Sequence, residues 1–198
     1  MSGRRSAAVS TLGRRMRRAL WRAEARLASP SRRSRAPQRS AEYAVLVVCL
    51  GNYCRSPVAE GVLRSKLEEV GLGARVRIES AGTSSYYAGR RAHKYARQAA
   101  LRRGIDIGGH RARGVDELDL STYDLVVAVD ERTRAELSSV APERLVLLGS
   151  FGLGGDIADP NGRELHFFGE THDTIEKAAA GLTEFISNRL TPPSDSHS

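Results

Sequence analysis

Between residues 43 and 190 two hydrophobic patterns take turns along the chain: short unbroken apolar runs, and longer stretches with apolar residues three and four apart. Ala44-Val45-Leu46-Val47-Val48 is unbroken, as expected of a central strand buried on both faces. From Pro57 to Val70 the apolar positions Val58, Val62, Leu63, Leu67 and Val70 fall at helical spacing, and Gly71 marks a stop. The same reading predicts a strand over 75–80, a helix over 91–103, a strand over 124–129, a helix over 131–140, a strand over 144–148 and a last helix over 165–190. Strand and helix alternate throughout, which predicts an α/β three-layer sandwich with a four-stranded parallel sheet. In such sheets ligands bind beyond the carboxyl ends of the strands.

The flanking segments read differently. Residues 1–40 are rich in Arg, Ser and Ala, contain Pro30 and Pro37, and show no strand pattern; they are expected to be a disordered arginine-rich arm. Leu12, Met16, Leu20 and Leu27, with Trp21, can line one face of a short basic helix suited to a membrane surface or a partner. A solvated extension and an organellar transit peptide are the other readings. Residues 191–198 are expected to be a disordered tail, leaving 41–190 as the folded domain.

The formal charge of +8 belongs to the arm, which holds twelve arginines against Glu24 alone. Residues 41–198 hold 19 basic and 22 acidic residues, so no nucleic acid is expected on the domain and no basic face is implied for it, while the arm is expected to meet anionic surfaces. No run of apolar residues reaches membrane-spanning length. The two cysteines, Cys49 and Cys54, are too few and too close for a secreted disulfide framework, which favours a cytoplasmic protein.

The stretch Val48-Cys49-Leu50-Gly51-Asn52-Tyr53-Cys54-Arg55-Ser56-Pro57 leaves the first predicted strand and enters the first predicted helix. A loop curled there aims the backbone N–H groups of Leu50, Gly51, Asn52, Tyr53, Cys54 and Arg55 at one point, and the helix adds its positive dipole end. That makes a cradle for a tetrahedral dianion. Gly51 permits close approach, Asn52 tolerates a left-handed backbone, and Pro57 suits the first helical position. Arg55 can return over the same anion with a bidentate fork. The Gly-Lys-Ser/Thr ending of a nucleotide-binding loop is missing. A cysteine at the floor of such a cradle is favoured as the thiolate by the amides, Arg55 and the Ser56 hydroxyl.

With these residues the chain resembles the low-molecular-weight protein tyrosine phosphatase family, as a bacterial-type member. Further matches are Ser80-Ala81-Gly82-Thr83, His110-Arg111-Ala112-Arg113, Tyr123-Asp124-Leu125-Val126 and Asp159-Pro160. The resemblance implies a phosphotyrosine protein substrate and a phosphocysteine intermediate. Cys49 attacks phosphorus, Arg55 and the loop amides hold the oxygens, and Asp159 protonates the leaving oxygen. It also implies that Asn52, Ser56 and Ser80 hold the loop and the thiolate in place, with no metal or cofactor. Asp156 is the rival acid, Asp130 reads as a helix N-cap, and His110 as a structural hydrogen bonder. His93, His166 and His172 lack metal-ligand spacing.

The chain departs from the family at Tyr53, where a smaller residue is usual, and at Asn161-Gly162, where eukaryotic members carry an aromatic pair. Tyr53, Tyr86, Tyr87 and Phe167 are therefore the candidate pocket walls. Three alternatives stand beside the tyrosine phosphatase. They are a protein-arginine phosphatase, an arsenate reductase of the same fold, which needs cysteines that do not follow Cys54 here, and a non-catalytic anion-binding module.

Overall fold

The computed structural model describes residues 41–191; the predicted arm, its short helix and the predicted tail beyond Thr191 lie outside the described residues. Four strands, β1 (Tyr43–Cys49), β2 (Val76–Gly82), β3 (Leu125–Ala128) and β4 (Leu145–Leu147), form one parallel sheet in the order β2-β1-β3-β4. The helices are α1 (Arg55–Glu69), α2 (Lys94–Leu101), α3 (Glu131–Glu136) and α4 (Leu165–Leu190). Because β2 and β3 flank β1 on opposite sides, the loops after β1 and β3 diverge at a switch point, where an open parallel sheet leaves a crevice.

Every residue of β1 is buried, and its side chains divide by the two-residue period of a strand. Tyr43, Val45, Val47 and Cys49 join one core with Val62, Leu63 and Leu67 of α1 and Ile175, Leu182 and Ile186 of α4. Ala44, Leu46 and Val48 join a second core on the opposite face with Val126, Ala128, Leu137 and Val140. The sheet is thus the middle layer, and Cys49 ends β1 on the face covered by α1 and α4. No helix among the described residues is long and apolar enough to cross a membrane.

Several boundaries differ from the sequence expectation, each for a local reason. α1 begins at Arg55, so Pro57 is its third residue; the first turn has no intrahelical acceptor for its N–H groups, so proline costs nothing there. α2 begins at Lys94 because the His93 ring caps it, Nδ1 accepting the Tyr95 N–H at 3.2 Å. α3 ends at Glu136, and Leu137 and Val140 turn inward to the second core rather than extend the helix. Asp130 caps α3 as expected, its carboxylate accepting the Thr133 N–H at 2.7 Å.

The end of β2 fixes how closely the loop after β1 can lie. Gly82 pairs with Cys49, and a Cβ there would stand 2.8 Å from the Asn52 nitrogen and 2.9 Å from the Leu50 carbonyl oxygen. These are backbone atoms and cannot swing away. Gly82→Ala should therefore lower stability by about 1–3 kcal/mol through overpacking, read as a lower urea midpoint with an unchanged m-value. A wild-type midpoint would mean that the loop moves aside freely.

Candidate active site

The loop from Leu50 to Cys54 is held from outside by its carbonyl groups. Cys49 O accepts the Thr83 N–H at 3.0 Å, Leu50 O the Ser84 N–H at 2.8 Å, and Tyr53 O the His93 N–H at 2.8 Å. The carbonyl of Asn52 faces His110 Nε2 at 3.0 Å. By contrast, no amide N–H from Leu50 to Cys54 meets an acceptor among the described residues. Consecutive peptide units with carbonyls tied outward and N–H groups left without acceptors, at the start of a helix, make an anion site. His110 has the structural part the sequence suggested.

Asn52 makes that shape possible. It alone of the described non-glycine residues has a positive φ, 49°, and its side chain is fully buried. Nδ2 donates to Ser56 Oγ and Ser80 Oγ, both at 2.9 Å, while Oδ1 accepts the Arg113 N–H at 3.0 Å. Ser80 Oγ passes its own proton to Glu60 Oε2 at 2.6 Å, and Glu60 Oε1 accepts from Arg64 at 2.7 Å. The chain ends at the thiol, where Cys49 Sγ and Ser56 Oγ lie 3.1 Å apart. Asn52, Ser56 and Ser80 were legible in the sequence; Glu60, 6% exposed on α1, was not. A buried carboxylate facing a serine has no local spacing signal.

Arg55 is 4% exposed and closes the site from the other side. Nη1 donates to Asp130 Oδ2 and to the Ile157 carbonyl at 3.0 Å, and Nη2 donates to Asp159 Oδ2 at 2.9 Å. Burial works against its charge, but Cys49, Asp159 and Asp130 outweigh it and raise its pKa. Asp130 therefore has a second task beside capping α3, one the sequence reading missed. Burial alone would push its carboxyl up, yet hydrogen bonds from Thr133 and the Arg55 guanidinium hold it below the usual carboxylate range. Asp159 is partly exposed, and its other oxygen accepts the Asn161 N–H at 3.0 Å. The rival acid Asp156 accepts the Glu131 N–H at 3.0 Å instead, so it serves the start of α3.

A small recess is lined by Cys49, Leu50, Gly51, Tyr53, Cys54, Arg55, Tyr87, Asp159 and Asn161. Of the four aromatic wall candidates, Tyr53 and Tyr87 line it while Tyr86 and Phe167 do not. Tyr87 stacks on Tyr53 with centroids 4.2 Å apart and 3° between planes, and leans on the loop where Gly51 has no Cβ. Tyr86 meets Tyr87 edge-on from the solvent side, and Phe167 lies against His166. Both cysteines are free and buried; burial, then Asp159 and Cys49, push the Cys54 thiol well above the ordinary range. His172, Asp173 and Glu176 bring ligand atoms within 4.8 Å of one another on α4, but Asp173 is paired with Arg103 and Glu176 with Lys66, and none lines the recess.

Known proteins are similar to this chain in sequence and fold. The profile of low molecular weight phosphotyrosine protein phosphatase matches residues 44–191. A low molecular weight protein-tyrosine-phosphatase of Streptomyces coelicolor is 36% identical over 160 residues, spanning 75% of this chain and 96% of the relative. Low molecular weight phosphotyrosine protein phosphatase 2 of Drosophila melanogaster is 36% identical over 130 residues, 62% of this chain and 79% of its own. Among solved structures, YfkJ from Bacillus subtilis superposes with a TM-score of 0.71 at 29% identity, covering 77% of this chain and 99% of that one. Wzb of Vibrio vulnificus, solved in complex with benzylphosphonate, gives 0.64 at 27% identity over 73% of this chain and 99% of its own. With its profile matched across the whole described domain, the chain belongs to the low molecular weight phosphotyrosine protein phosphatase family.

Proposed function

We propose that this protein tyrosine phosphatase works through a phosphocysteine on Cys49. The observation that carries the reading is the run of acceptor-free amides from Leu50 to Cys54 beside the Cys49 sulfur, with the Arg55 guanidinium reaching over from α1. Three equatorial phosphoryl oxygens need donors that do not have to reorganise as charge shifts, and fixed amides supply them. The Cys49 thiolate, accepting from Ser56, attacks phosphorus; the S–P bond forms as the P–O bond to the phenol breaks, and Asp159 gives the leaving oxygen its proton. Water then attacks phosphorus, the S–P bond breaks, and Asp159 takes back a proton as inorganic phosphate leaves. Arg55 links the steps: oxygens of the phosphoryl group compete with Asp159 for Nη2, and so free the carboxyl to meet the leaving oxygen. Cys54, kept protonated by burial, is no rival nucleophile.

Tyr53 and Tyr87 favour an aryl ester. Phosphotyrosine carries its phosphorus far enough from its backbone to pass the stacked pair, as phosphoserine does not, and an aromatic contact adds roughly 0.5–1.5 kcal/mol. The ring held by benzylphosphonate in the Vibrio relative is of the same kind. A purified preparation should turn over phosphotyrosine at least about tenfold faster than phosphoserine in kcat/KM, and Tyr87→Ala should narrow that ratio by about threefold to tenfold. Phosphoarginine as the better substrate would favour the arginine phosphatase reading.

The acid is tested through the leaving group. Tyrosine leaves with a conjugate-acid pKa of about 10, nitrophenol with one near ~7, so only the first depends strongly on a donated proton. Asp159→Ala should slow single-turnover phenol release from phosphotyrosine by about 10²–10⁴ and from the nitrophenyl ester far less. Asp156→Ala should change neither rate, and Cys49→Ser should abolish both. Equal slowing of the two esters by Asp159→Ala would remove it as the acid.

Asp130 should set acid stability. A carboxyl whose folded pKa lies below its unfolded value of about 3.9 contributes stability above that value and loses it as pH falls through the folded one. The urea midpoint of the wild type should therefore drop more steeply below about pH 4 than that of Asp130→Asn, whose kcat at neutral pH should also fall because Arg55 loses its fixed orientation. Parallel midpoint curves would mean that the pair adds nothing to folding.

A further inference from the structure

The net charge of the domain conceals a separation. Residues 83–113, the first part of the segment between β2 and β3, bring Tyr87 to the recess and hold eight basic residues and one acid, Asp106, while residues 114–124, the rest of that segment, hold four acids and no base. The sequence expectation of no basic face rests on a sum over 41–198, which hides this local excess.

Arg90 is tied to the lining of the recess, and Arg91, Lys94 and Arg111 are its neighbours in the chain or across one backbone pairing. Arg90 donates its N–H to Tyr87 O at 3.0 Å, and its guanidinium carbon lies 5.8 Å from the Tyr87 ring centroid. Gly89 and Arg90 exchange hydrogen bonds with Ala112, both 2.8 Å, which brings Arg111 alongside. Arg91 donates to Gly108 O at 2.9 Å, on the turn where Asp106 Oδ1 accepts the Gly108 N–H at 2.7 Å. Lys94 follows His93, whose ring stands edge-on to Tyr53 with centroids 5.3 Å apart. Arg90, Arg91, Lys94 and Arg111 are all exposed, and none forms an ion pair with an acid among the described residues. In contrast Arg75, Arg77, Arg103 and Arg113 each have a carboxylate partner.

We infer that Arg90, Arg91, Lys94 and Arg111 form a recognition wall for acidic residues flanking the phosphotyrosine of a protein substrate. The inference rests on the phosphotyrosine reading above. Arg90 stands beside the Tyr87 ring of the aromatic pair that would take the phosphotyrosine ring, which puts residues flanking that ring within reach of this group of cations. Unpaired cations there attract an acidic segment and repel a basic one, giving both faster encounter and selection.

The test uses the full chain and phosphotyrosine peptides of one length flanked by Asp and Glu, by Ala and Ser, or by Lys. kcat/KM is measured on wild type, and Kd on Cys49→Ser. Acidic flanks should win over basic ones by about tenfold at 50 mM salt and by less than about twofold at 0.5 M. Arg90→Glu with Lys94→Glu should reverse the order while leaving free phosphotyrosine within about twofold. The milder pair Arg90→Gln with Lys94→Gln should abolish the preference, and serves if the reversal pair folds poorly. Equal rates for all three flanks, or the same order in wild type and variants, would overturn the wall. So would phosphatidylserine vesicles or a DNA oligonucleotide outcompeting the acidic peptide at equal charge concentration. Loss of turnover on every phosphotyrosine substrate, with acidic peptides still bound more tightly by Cys49→Ser, would sink the proposed function and leave the wall standing.

Discussion

Three loops of this domain meet at one buried cation. Arg55, on the first turn of α1, holds Asp130 after β3 and both Ile157 and Asp159 in the segment after β4. Taking a guanidinium out of water costs several kcal/mol, and it stays in place only if its donors are met by charge. Two carboxylates and a carbonyl meet them. The same contacts bring together segments that would otherwise leave the sheet independently, including the partly exposed Asp159. The cation that assembles the site is also the one best placed to grip an oxyanion, so folding and chemistry draw on a single group.

What Arg55 does for the loops, Asn52 does for the cradle. A left-handed backbone turn would be open to glycine at this position, but glycine could not satisfy two serine hydroxyls and the Arg113 amide. The asparagine side chain ties the loop to β2 and α1, and the carbonyls bonded outward leave the amides with nowhere else to turn. Ser56 Oγ has one proton and two acceptors in reach, Ala81 O at 3.2 Å and the Cys49 sulfur at 3.1 Å. When the sulfur carries its own proton it can donate to Ser56; when ionised it can draw the hydroxyl proton. The hydrogen-bond chain thus adjusts to the sulfur without moving a heavy atom.

Much of this was legible because it is local. The β1 run, the Cys49 to Arg55 spacing and the Asp130 cap follow from residues within a few positions of one another, and the long α4 has the ends the sequence suggests. What the sequence hides at the site depends on distant partners. Asp130 looked like a cap alone because its other partner lies 75 residues earlier. Glu60 had no signal, since Ser80 reaches it from the next strand. Tyr86 and Tyr87 are adjacent in sequence and equal in type, yet only the backbone turn at 85–87 decides which ring faces Tyr53.

Charge was misread for the opposite reason, by averaging over too long a stretch. A fold that brings Tyr87 and, beside it, Arg90 to the recess turns a charge bias in their segment into a property of its mouth. Like-charged side chains at the mouth of a phosphate site are costly unless something anionic comes to them, because their mutual repulsion adds to that of Arg55 nearby. Elsewhere on the domain the same residue type sits beside carboxylates, as Arg75 does with Glu42 and Arg77 with Glu79. Acids are plentiful enough to have been placed along 83–113 as well. Leaving Arg90, Arg91, Lys94 and Arg111 without a carboxylate partner keeps the mouth attractive to phosphate dianions in general and, next to an aromatic pair that selects the ester, gives the flanking sequence of a protein substrate a surface to be read against.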